Sequence, residues 1–483
     1  MKLKELLQGL EIIKMTADPE LEINSVTYDS RRAVPGCLFV AITGFVTDGN
    51  LYIPMAMEKG AVAVVTAVEP QEDIPYVLVP SDRLALAMVG ANFYGHPAKS
   101  MTLIGVTGTN GKTTSTLLLK HVLEQVCDAK VGLIGTMDNM IGQESVPAVR
   151  TTPESLDLQE LFAKMRDAGC SHVIMEVSSH AIALERVGGV VYDVAAFTNL
   201  TEDHLDFHET MDNYCDAKGI LFERSWKQVA NFDDPWYERM CSHAKGQVLP
   251  TSVRTEEGLH AQDLVLMSDG IEFTAVWGQK QVPVKLGIPG KFTVYNALTV
   301  LGCALQLGIS LEAAAKALKN AQGVKGRVEV VPTPGKPYTV LIDYAHTPDG
   351  LENVLSSVKG FCKGRLFGVF GCGGDRDPIK RPIMGRIGVE LSDIAIITSD
   401  NPRTEEPMAI ISDIVKGLDN TKKNYQIIEN RPSAIRQAMD IAQKDDIIVL
   451  AGKGHETYQE ICGVKHHLDE REVVAAYLEE TRG

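Results

Sequence analysis

Residues 103–117, Leu-Ile-Gly-Val-Thr-Gly-Thr-Asn-Gly-Lys-Thr-Thr-Ser-Thr-Leu, put an apolar run, a glycine-threonine loop and an apolar-periodic helix in direct succession. A strand that feeds a loop that opens a helix is one βα unit of a parallel sheet, so this segment points to an α/β fold. The loop has the chemistry of a phosphate cradle. Glycines let backbone N–H groups face a polyphosphate, Lys112 neutralises it, and the Thr113 hydroxyl can ligate Mg²⁺. The match to the eight-residue phosphate-loop pattern is partial, because its first glycine would fall at Val106; Gly108 and Gly111 carry the turn instead.

At 483 residues the chain exceeds one hydrophobic core, and roughly 150 residues per domain predicts about three. Lys and Arg number 47 against 63 Asp and Glu, a net charge of −16. That excess argues against nucleic acid or an anionic membrane as the main partner. It leaves anionic small molecules open, since a local N–H cradle with Mg²⁺ holds phosphate on an acidic protein. No apolar run approaches the roughly 20 residues that span a bilayer. The opening Met1-Lys2-Leu3-Lys4-Glu5-Leu6-Leu7 reads as a short amphipathic helix rather than a signal peptide. Nine dispersed cysteines without a Cys-x-x-Cys pair predict neither a zinc site nor a disulfide framework. A cytoplasmic protein is expected, and a monomer; no long exposed heptad argues for a coiled coil.

Three stretches follow. Residues 1–98 alternate short strands and helices and end at Gly95-His96-Pro97, a stop signal just ahead of the phosphate-loop strand. Residues 99–327 repeat strand then helix, with strands predicted over 101–106, 130–134, 172–177 and 194–197. Within them, 248–288 reads as an antiparallel insertion. Residues 328–483 form a third α/β unit, with strands predicted over 339–342, 365–370, 394–398 and 446–450. The expected architecture is a central mononucleotide-binding parallel sheet, a Rossmann-like C-terminal α/β domain and a smaller N-terminal α/β domain.

Polar residues gather where predicted strands end, which is where open parallel sheets bind ligands. Glu176 closes the strand Val173-Ile174-Met175-Glu176-Val177. It either faces a Mg²⁺ at the phosphate loop or hydrogen-bonds a neighbouring loop. His204, in Asn199-Leu200-Thr201-Glu202-Asp203-His204-Leu205-Asp206, caps its loop or ligates. Lys218 lies in a helical segment with apolar neighbours, where a lysine ordinarily snorkels to solvent. Arg327, in Gly326-Arg327-Val328-Glu329, either grips phosphate or pairs with Glu329. In the third unit Gly371-Cys372-Gly373-Gly374-Asp375-Arg376-Asp377 with Lys380-Arg381, Asp400-Asn401-Pro402-Arg403 and Gly452-Lys453-Gly454-His455-Glu456 converge on strand ends. Three such loops imply a pocket for a small, multiply charged molecule.

Taken jointly, the phosphate loop 108–114, Glu176-Val177-Ser178-Ser179-His180, 199–206, the Lys218 segment, Tyr295-Asn296-Ala297, Gly326-Arg327-Val328-Glu329 and 343–348 make the chain resemble the Mur ligase family from end to end. That resemblance implies ATP-dependent amide-forming ligation in bacterial cell-wall precursor synthesis, with UDP-N-acetylmuramoyl-L-alanyl-D-glutamate, meso-diaminopimelate and ATP as substrates and Mg²⁺ as cofactor. It implies a UDP-substrate domain over 1–98, an ATP domain over 99–327 and an amino-acid domain over 328–483. By the same resemblance Gly108, Thr109, Asn110, Gly111, Lys112, Thr113, Thr114, Asn296, Arg327 and Asp343 contact ATP. Thr113 and Glu176 surround one Mg²⁺, and His204 and Lys218 a second, with Lys218 carbamylated by CO₂; Lys112, Glu176, His204 and Lys218 are the catalytic set. Ser30, Thr151, Thr152, Ser178 and Arg186 correspond to contacts with the muramoyl dipeptide, and the loop Thr43-Gly44-Phe45-Val46 matches in placement only.

The amino-acid choice also has a physical argument. Diaminopimelate differs from lysine by a distal carboxylate, so a site selecting it needs a cation that a lysine site does not. Arg403, with Asp400, Asn401 and Pro402, supplies one; Arg381 offers another, while Glu456 and the Gly452 carbonyl receive the distal ammonium. A buried group left unpaired by the wrong substrate costs about 1–3 kcal/mol, which discriminates. The competing readings are a lysine-adding member of the family, a folylpolyglutamate synthetase-like ligase and a non-catalytic nucleotide switch.

Overall fold

The computed structural model describes residues 1–44, 47–321, 323–419 and 424–481. Backbone contacts divide them into two compact units, residues 1–260 with 298–314 and residues 261–297 with 315–483.

The first unit opens with a five-stranded sheet of β1 (Lys14–Met15), β2 (Ser25–Thr27), β3 (Cys37–Ala41), β4 (Ala61–Thr66) and β5 (Tyr76–Leu78), in the order β1-β5-β4-β3-β2. Only β1 is antiparallel to its neighbour. All five residues of β3 are buried, the pattern of a parallel strand covered on both faces. One face packs Leu38, Val40, Ala63 and Val65 with Leu86 and Val89 of the helix Asp82–Phe93; the other packs Phe39, Ala41 and Val64 with Ile53 and Ala56.

The phosphate-loop strand is β6 (Thr102–Thr107). After it come β7 (Val131–Ile134), β8 (Asp138–Ile141), β9 (Glu144–Pro147), β10 (His172–Glu176), β11 (Tyr192–Phe197), β12 (Ser225–Asn231), β13 (Val248–Ser252) and β14 (Leu259–Met267). Their order is β14-β13-β12-β11-β6-β10-β7-β8-β9. β6 lies between β10 and β11, parallel to both. The chain therefore leaves β6 at a topological switch point, where a crevice opens beyond the strand ends.

The second unit contains the antiparallel hairpin β15 (Gly270–Trp277) and β16 (Lys280–Leu286). Its six-stranded sheet comprises β17 (Glu329–Val331), β18 (Thr339–Asp343), β19 (Leu366–Phe370), β20 (Ile394–Ile397), β21 (Tyr425–Ile427) and β22 (Ile447–Ala451), in the order β17-β18-β22-β19-β20-β21. All neighbours but β17 run parallel. A small hairpin, β23 (Tyr458–Ile461) with β24 (Val464–His467), follows β22.

The antiparallel insertion expected over 248–288 is only partly found. β13 runs parallel to β12 and meets β14 in parallel, extending the sheet, while β15 and β16 pair antiparallel. β16 buries alternate residues, the one-sided pattern that suggested antiparallel pairing, whereas β13 carries a proline and two hydroxyl residues that obscured its direction. The hairpin β8–β9 and strand β12 were not anticipated. All nine cysteines are free, five of them buried. No helix among the described residues is long and apolar enough to cross a membrane.

Candidate functional site

The phosphate loop is held open by glycine. Gly108 has φ +145°, and a Cβ there would lie 2.0 Å from Thr198 Oγ1 and 3.0 Å from the Asn199 carbonyl oxygen. The chain following β11 splints the loop: Thr198 Oγ1 donates to the Asn110 carbonyl (2.6 Å), Asn110 N–H donates to Asn199 Oδ1 (2.9 Å), and Thr109 Oγ1 donates to the Thr201 carbonyl (3.2 Å). Gly111 is the N-cap of the helix Lys112–Cys127, in the left-handed region, and no side chain caps it. Its first N–H groups thus supply the partial positive charge that attracts phosphate. Lys112 Nζ donates to the Gly108 and Thr109 carbonyls, each at 2.8 Å. Thr113 and Thr114 are buried at the helix start.

Lys218 does not snorkel. It is 2% exposed on the helix Met211–Glu223 and donates to the Gly108 carbonyl at 3.1 Å. Its ammonium lies over the Tyr214 ring, 4.5 Å from the centroid. Burial first, then the neighbouring Lys112 charge, push its pKa well below the ordinary lysine value. Lys112 and Lys218 therefore meet on one carbonyl oxygen.

Glu176 is buried at the end of β10, and its two oxygens accept from the Thr136 N–H and hydroxyl, both at 3.0 Å. The Thr136 hydroxyl also shares a 3.0 Å hydrogen bond with that of Thr151. Thr152 Oγ1 donates to the Glu176 carbonyl (2.8 Å) and accepts from the Ser178 N–H (3.2 Å). His204, at φ +55°, faces His180 edge-on at 4.7 Å and lies 6.3 Å from the Tyr214 ring. His208 extends this ring cluster and shares a hydrogen bond with Ser179 Oγ (2.9 Å). Burial pushes its imidazole down to about 4. Thr136, Thr198, Tyr214 and His208 were not singled out from sequence; only Tyr214, one helical turn before Lys218, carried a usable spacing signal. Among the described residues no group of three or more His, Cys, Asp or Glu is poised to hold a metal.

Arg186 Nε lies 3.3 Å from the buried Glu154 carboxylate, which Arg83 and Arg150 also approach at 3.9 and 3.7 Å. Three guanidinium groups against one carboxylate leave this place cationic. Ser30 is buried and directs its hydroxyl at Met55 Sδ (3.5 Å). Thr43 N–H donates to Asp82 (2.8 Å), whereas Phe45 and Val46 of the same loop lie outside the described residues.

In the second unit Asn296 is buried and the Arg327 guanidinium stacks over Tyr344 at 5.2 Å. Glu329 is paired with Arg471, with Nε donating at 2.8 Å, which disfavours the ion-pair alternative for Arg327. Asp343 accepts from the Val328 and Ala345 N–H groups, both at 2.8 Å, and burial raises its pKa.

The third-unit loops meet beyond the strand ends, where Arg403 bonds Gly374 and Asn401 bonds Glu456. Arg381 is 2% exposed, and its guanidinium is held by Glu405 (2.8 and 2.9 Å) and Asp413 (3.0 Å). Its charge is thus matched inside the protein, whereas the expectation assigned it to an amino-acid carboxylate. The exposed guanidinium of the same loop is that of Arg376, which among the described residues donates to the Asp375 carbonyl (3.0 Å). Arg403 Nη1 lies 3.0 Å, and the Arg376 Cγ 4.0 Å, from where a Gly373 Cβ would stand. Arg403 donates to the Gly374 carbonyl (2.6 Å) and faces Glu460 at 3.4 Å. Pro402 sits between Asn401 and Arg403, whose backbone N–H bonds the Glu460 carbonyl (3.0 Å). Gly452, at φ +119°, lets the Asp400 carboxylate come within 2.5 Å of its missing Cβ, and Glu456 accepts from Asn401 Nδ2 (2.9 Å).

Three family models match in succession: the Mur ligase family catalytic domain over residues 22–97, the Mur ligase middle domain over 106–304 and the Mur ligase glutamate ligase domain over 326–454. The chain belongs to the Mur ligase family. A Mur ligase of Clostridium tetani, named UDP-N-acetylmuramoyl-L-alanyl-D-glutamate–2,6-diaminopimelate ligase, is 48% identical over 99% of this chain and 100% of its own length. A solved structure of a ligase of that same name superposes with a TM-score of 0.75 at 30% identity, covering 100% of this chain and 99% of the other. A folylpolyglutamate synthase from Thermotoga maritima, at TM-score 0.59 and 16% identity over 76% of this chain and 90% of that one, shares the Mur ligase fold alone.

Proposed function

We propose that this protein is an ATP-dependent ligase that joins meso-diaminopimelate to the D-glutamate of UDP-N-acetylmuramoyl-L-alanyl-D-glutamate, in cytoplasmic peptidoglycan precursor synthesis. The observation that carries the reading is the full-length 48% identity to a diaminopimelate ligase. The substrate carboxylate attacks the γ-phosphate of ATP and releases ADP, an acyl phosphate forms, and the amine of the amino acid displaces inorganic phosphate, with loss of a proton, to give the amide.

Carboxylate and triphosphate repel: at 4 Å two like unit charges cost about 4 kcal/mol at an effective dielectric of 20. Lys112 offsets this by leaving the two loop carbonyls it now bonds for the phosphate oxygens, stabilising charge in the transition state. The helix N-terminus at Gly111 and the loop N–H groups hold the remaining oxygens. Thr113, Glu176, His204 and a carbamylated Lys218 would hold Mg²⁺, which when bound supplies further charge neutralisation. The buried amine of Lys218 favours that modification. Its lowered pKa favours the neutral amine, the form that adds to CO₂ with loss of a proton, and the resulting carbamate would face the Lys112 ammonium instead of a second cation.

Asn296, Arg327 and Asp343 would contact ATP, and Ser30, Thr151, Thr152, Ser178 and Arg186 the muramoyl dipeptide. For the amino acid, Arg403 with Arg376 would take the distal carboxylate, and Glu456 with the Gly452 carbonyl the ammonium. The test is phosphate release under a screen of amino acids. Release should require both the muramoyl dipeptide and an amino acid, and diaminopimelate should far outperform lysine. Turnover of ATP without either would end the ligase reading, and a preference for lysine would move it to the lysine-adding branch.

A further inference from the structure

Lys453 is 0% exposed in the loop after β22, and no role has been given to it. A lysine is almost never fully buried without partners. Its ammonium donates to Asn401 Oδ1 (3.0 Å) and Glu456 Oε2 (3.1 Å), and lies 3.6 Å from Asp400 Oδ1. Tyr458 presents its ring at 5.6 Å. One point charge thus ties the Asp400-Asn401 loop to the loop that carries Glu456.

The hydrogen bonds fix more than proximity. Asn401 Oδ1 accepts both from Lys453 and from the Glu460 N–H (2.9 Å), so its amide can face only one way. The Asn401 Nδ2 then donates to Glu456 Oε2 (2.9 Å), the oxygen that Lys453 also bonds. Both donors grip one oxygen, and Glu456 Oε1 has no hydrogen-bond partner among the described residues. Lys453, Asp400 and Glu456 together carry a net charge of about −1, which an arriving ammonium would balance. A pinned carboxylate with one open oxygen is a pre-organised ammonium acceptor.

We propose that Lys453 is a positioning residue for the amino-acid substrate, acting through Asn401 and Glu456. It sets the open oxygen of Glu456 toward the substrate's ammonium and touches no substrate atom itself. The proposal rests on the ligase reading above.

The experiment compares Lys453→Met, Glu456→Gln and the double variant in the phosphate-release assay, with the full-length protein. Lys453→Met should raise KM for diaminopimelate by about tenfold or more, with KM for ATP and for the muramoyl dipeptide within about twofold of wild type. In the Glu456→Gln background the same substitution should add little, because the group it positions is already neutral. Lys453→Gln, uncharged but still able to donate, serves the same comparison should the methionine variant not fold. An unchanged KM for diaminopimelate, full additivity with Glu456→Gln, or a parallel loss in all three KM values would overturn the proposal. Absence of diaminopimelate-dependent release by the wild-type protein would instead overturn the ligase reading, so the two failures are separate.

Discussion

Replacing Arg381 by alanine should unsettle the fold around its site and leave amino-acid selection intact. The side chain is 3% exposed, and Glu405 and Asp413 are 33% and 30% exposed. Breaking a fully buried pair costs about 3–5 kcal/mol, and exposed pairs contribute about 0–1 kcal/mol. The two carboxylates here can partly rehydrate, so a loss of about 2–3 kcal/mol is expected. For a domain of this size each kcal/mol moves Tm by roughly 2–4 °C. The melting transition of Arg381→Ala should therefore fall by about 4–12 °C, with KM for diaminopimelate little changed. Acid adds a second signature. Arg381 is the main cause holding the Glu405 carboxyl below the usual range. A group with a lowered folded pKa contributes stability above its unfolded value of about 4.3, lost as pH falls through the folded value. Melting scans through that acid window should show a steeper decline for wild type than for Arg381→Ala. A variant with wild-type melting and a sharply raised KM for diaminopimelate would refute this reasoning and return Arg381 to the substrate.

Arg376→Ala should do the reverse, raising KM for diaminopimelate about tenfold or more with Tm nearly unchanged, measured by the same two assays. Gly108→Ala should cost about 1–3 kcal/mol through overpacking against Thr198 and Asn199, and displacement of the loop should cut kcat/KM for ATP by about a hundredfold; adding Thr198→Ala should recover part of the stability. Assays in buffer stripped of CO₂ should run slower than with added bicarbonate, and the response should vanish in Lys218→Met; indifference of the wild-type protein to bicarbonate would remove the carbamylation reading.

What could be read from the sequence was what is local in the chain. The phosphate loop is specified within 15 consecutive residues, and strand, turn and helix signals there all agree. Parallel strands such as Cys37–Ala41, buried on every residue, announce themselves by uninterrupted apolar runs. The hairpin Asp138–Ile141 with Glu144–Pro147 does not, because four of its eight residues are exposed, Asp138, Glu144, Ser145 and Pro147, a composition that also suits a loop. Lys218 was ambiguous for a different reason: its burial depends on the Gly108 carbonyl 110 positions away.

The same distance effect explains the exchange between Arg381 and Arg376. Both lie in one charged segment, and a search for a free cation near a strand end has no means of ranking them. Their fates are decided by Glu405 and Asp413, which are 24 and 32 positions from Arg381. Those carboxylates capture the arginine that the helix Lys380–Leu391 turns inward and leave the loop arginine exposed. Lys453 follows the same logic in the opposite sense. Its neighbours in sequence are glycines, yet its partners Asp400 and Asn401 arrive from the end of another strand and make a buried ammonium tolerable. In a pocket built from strand-end loops, the charge that selects a ligand is what remains after such internal pairings are subtracted. Here that remainder is the exposed Arg376 at one end, beside an Arg403 that shares its charge with Glu460 at 3.4 Å, and an open carboxylate oxygen of Glu456 at the other, the polarity that the proposed diaminopimelate site requires.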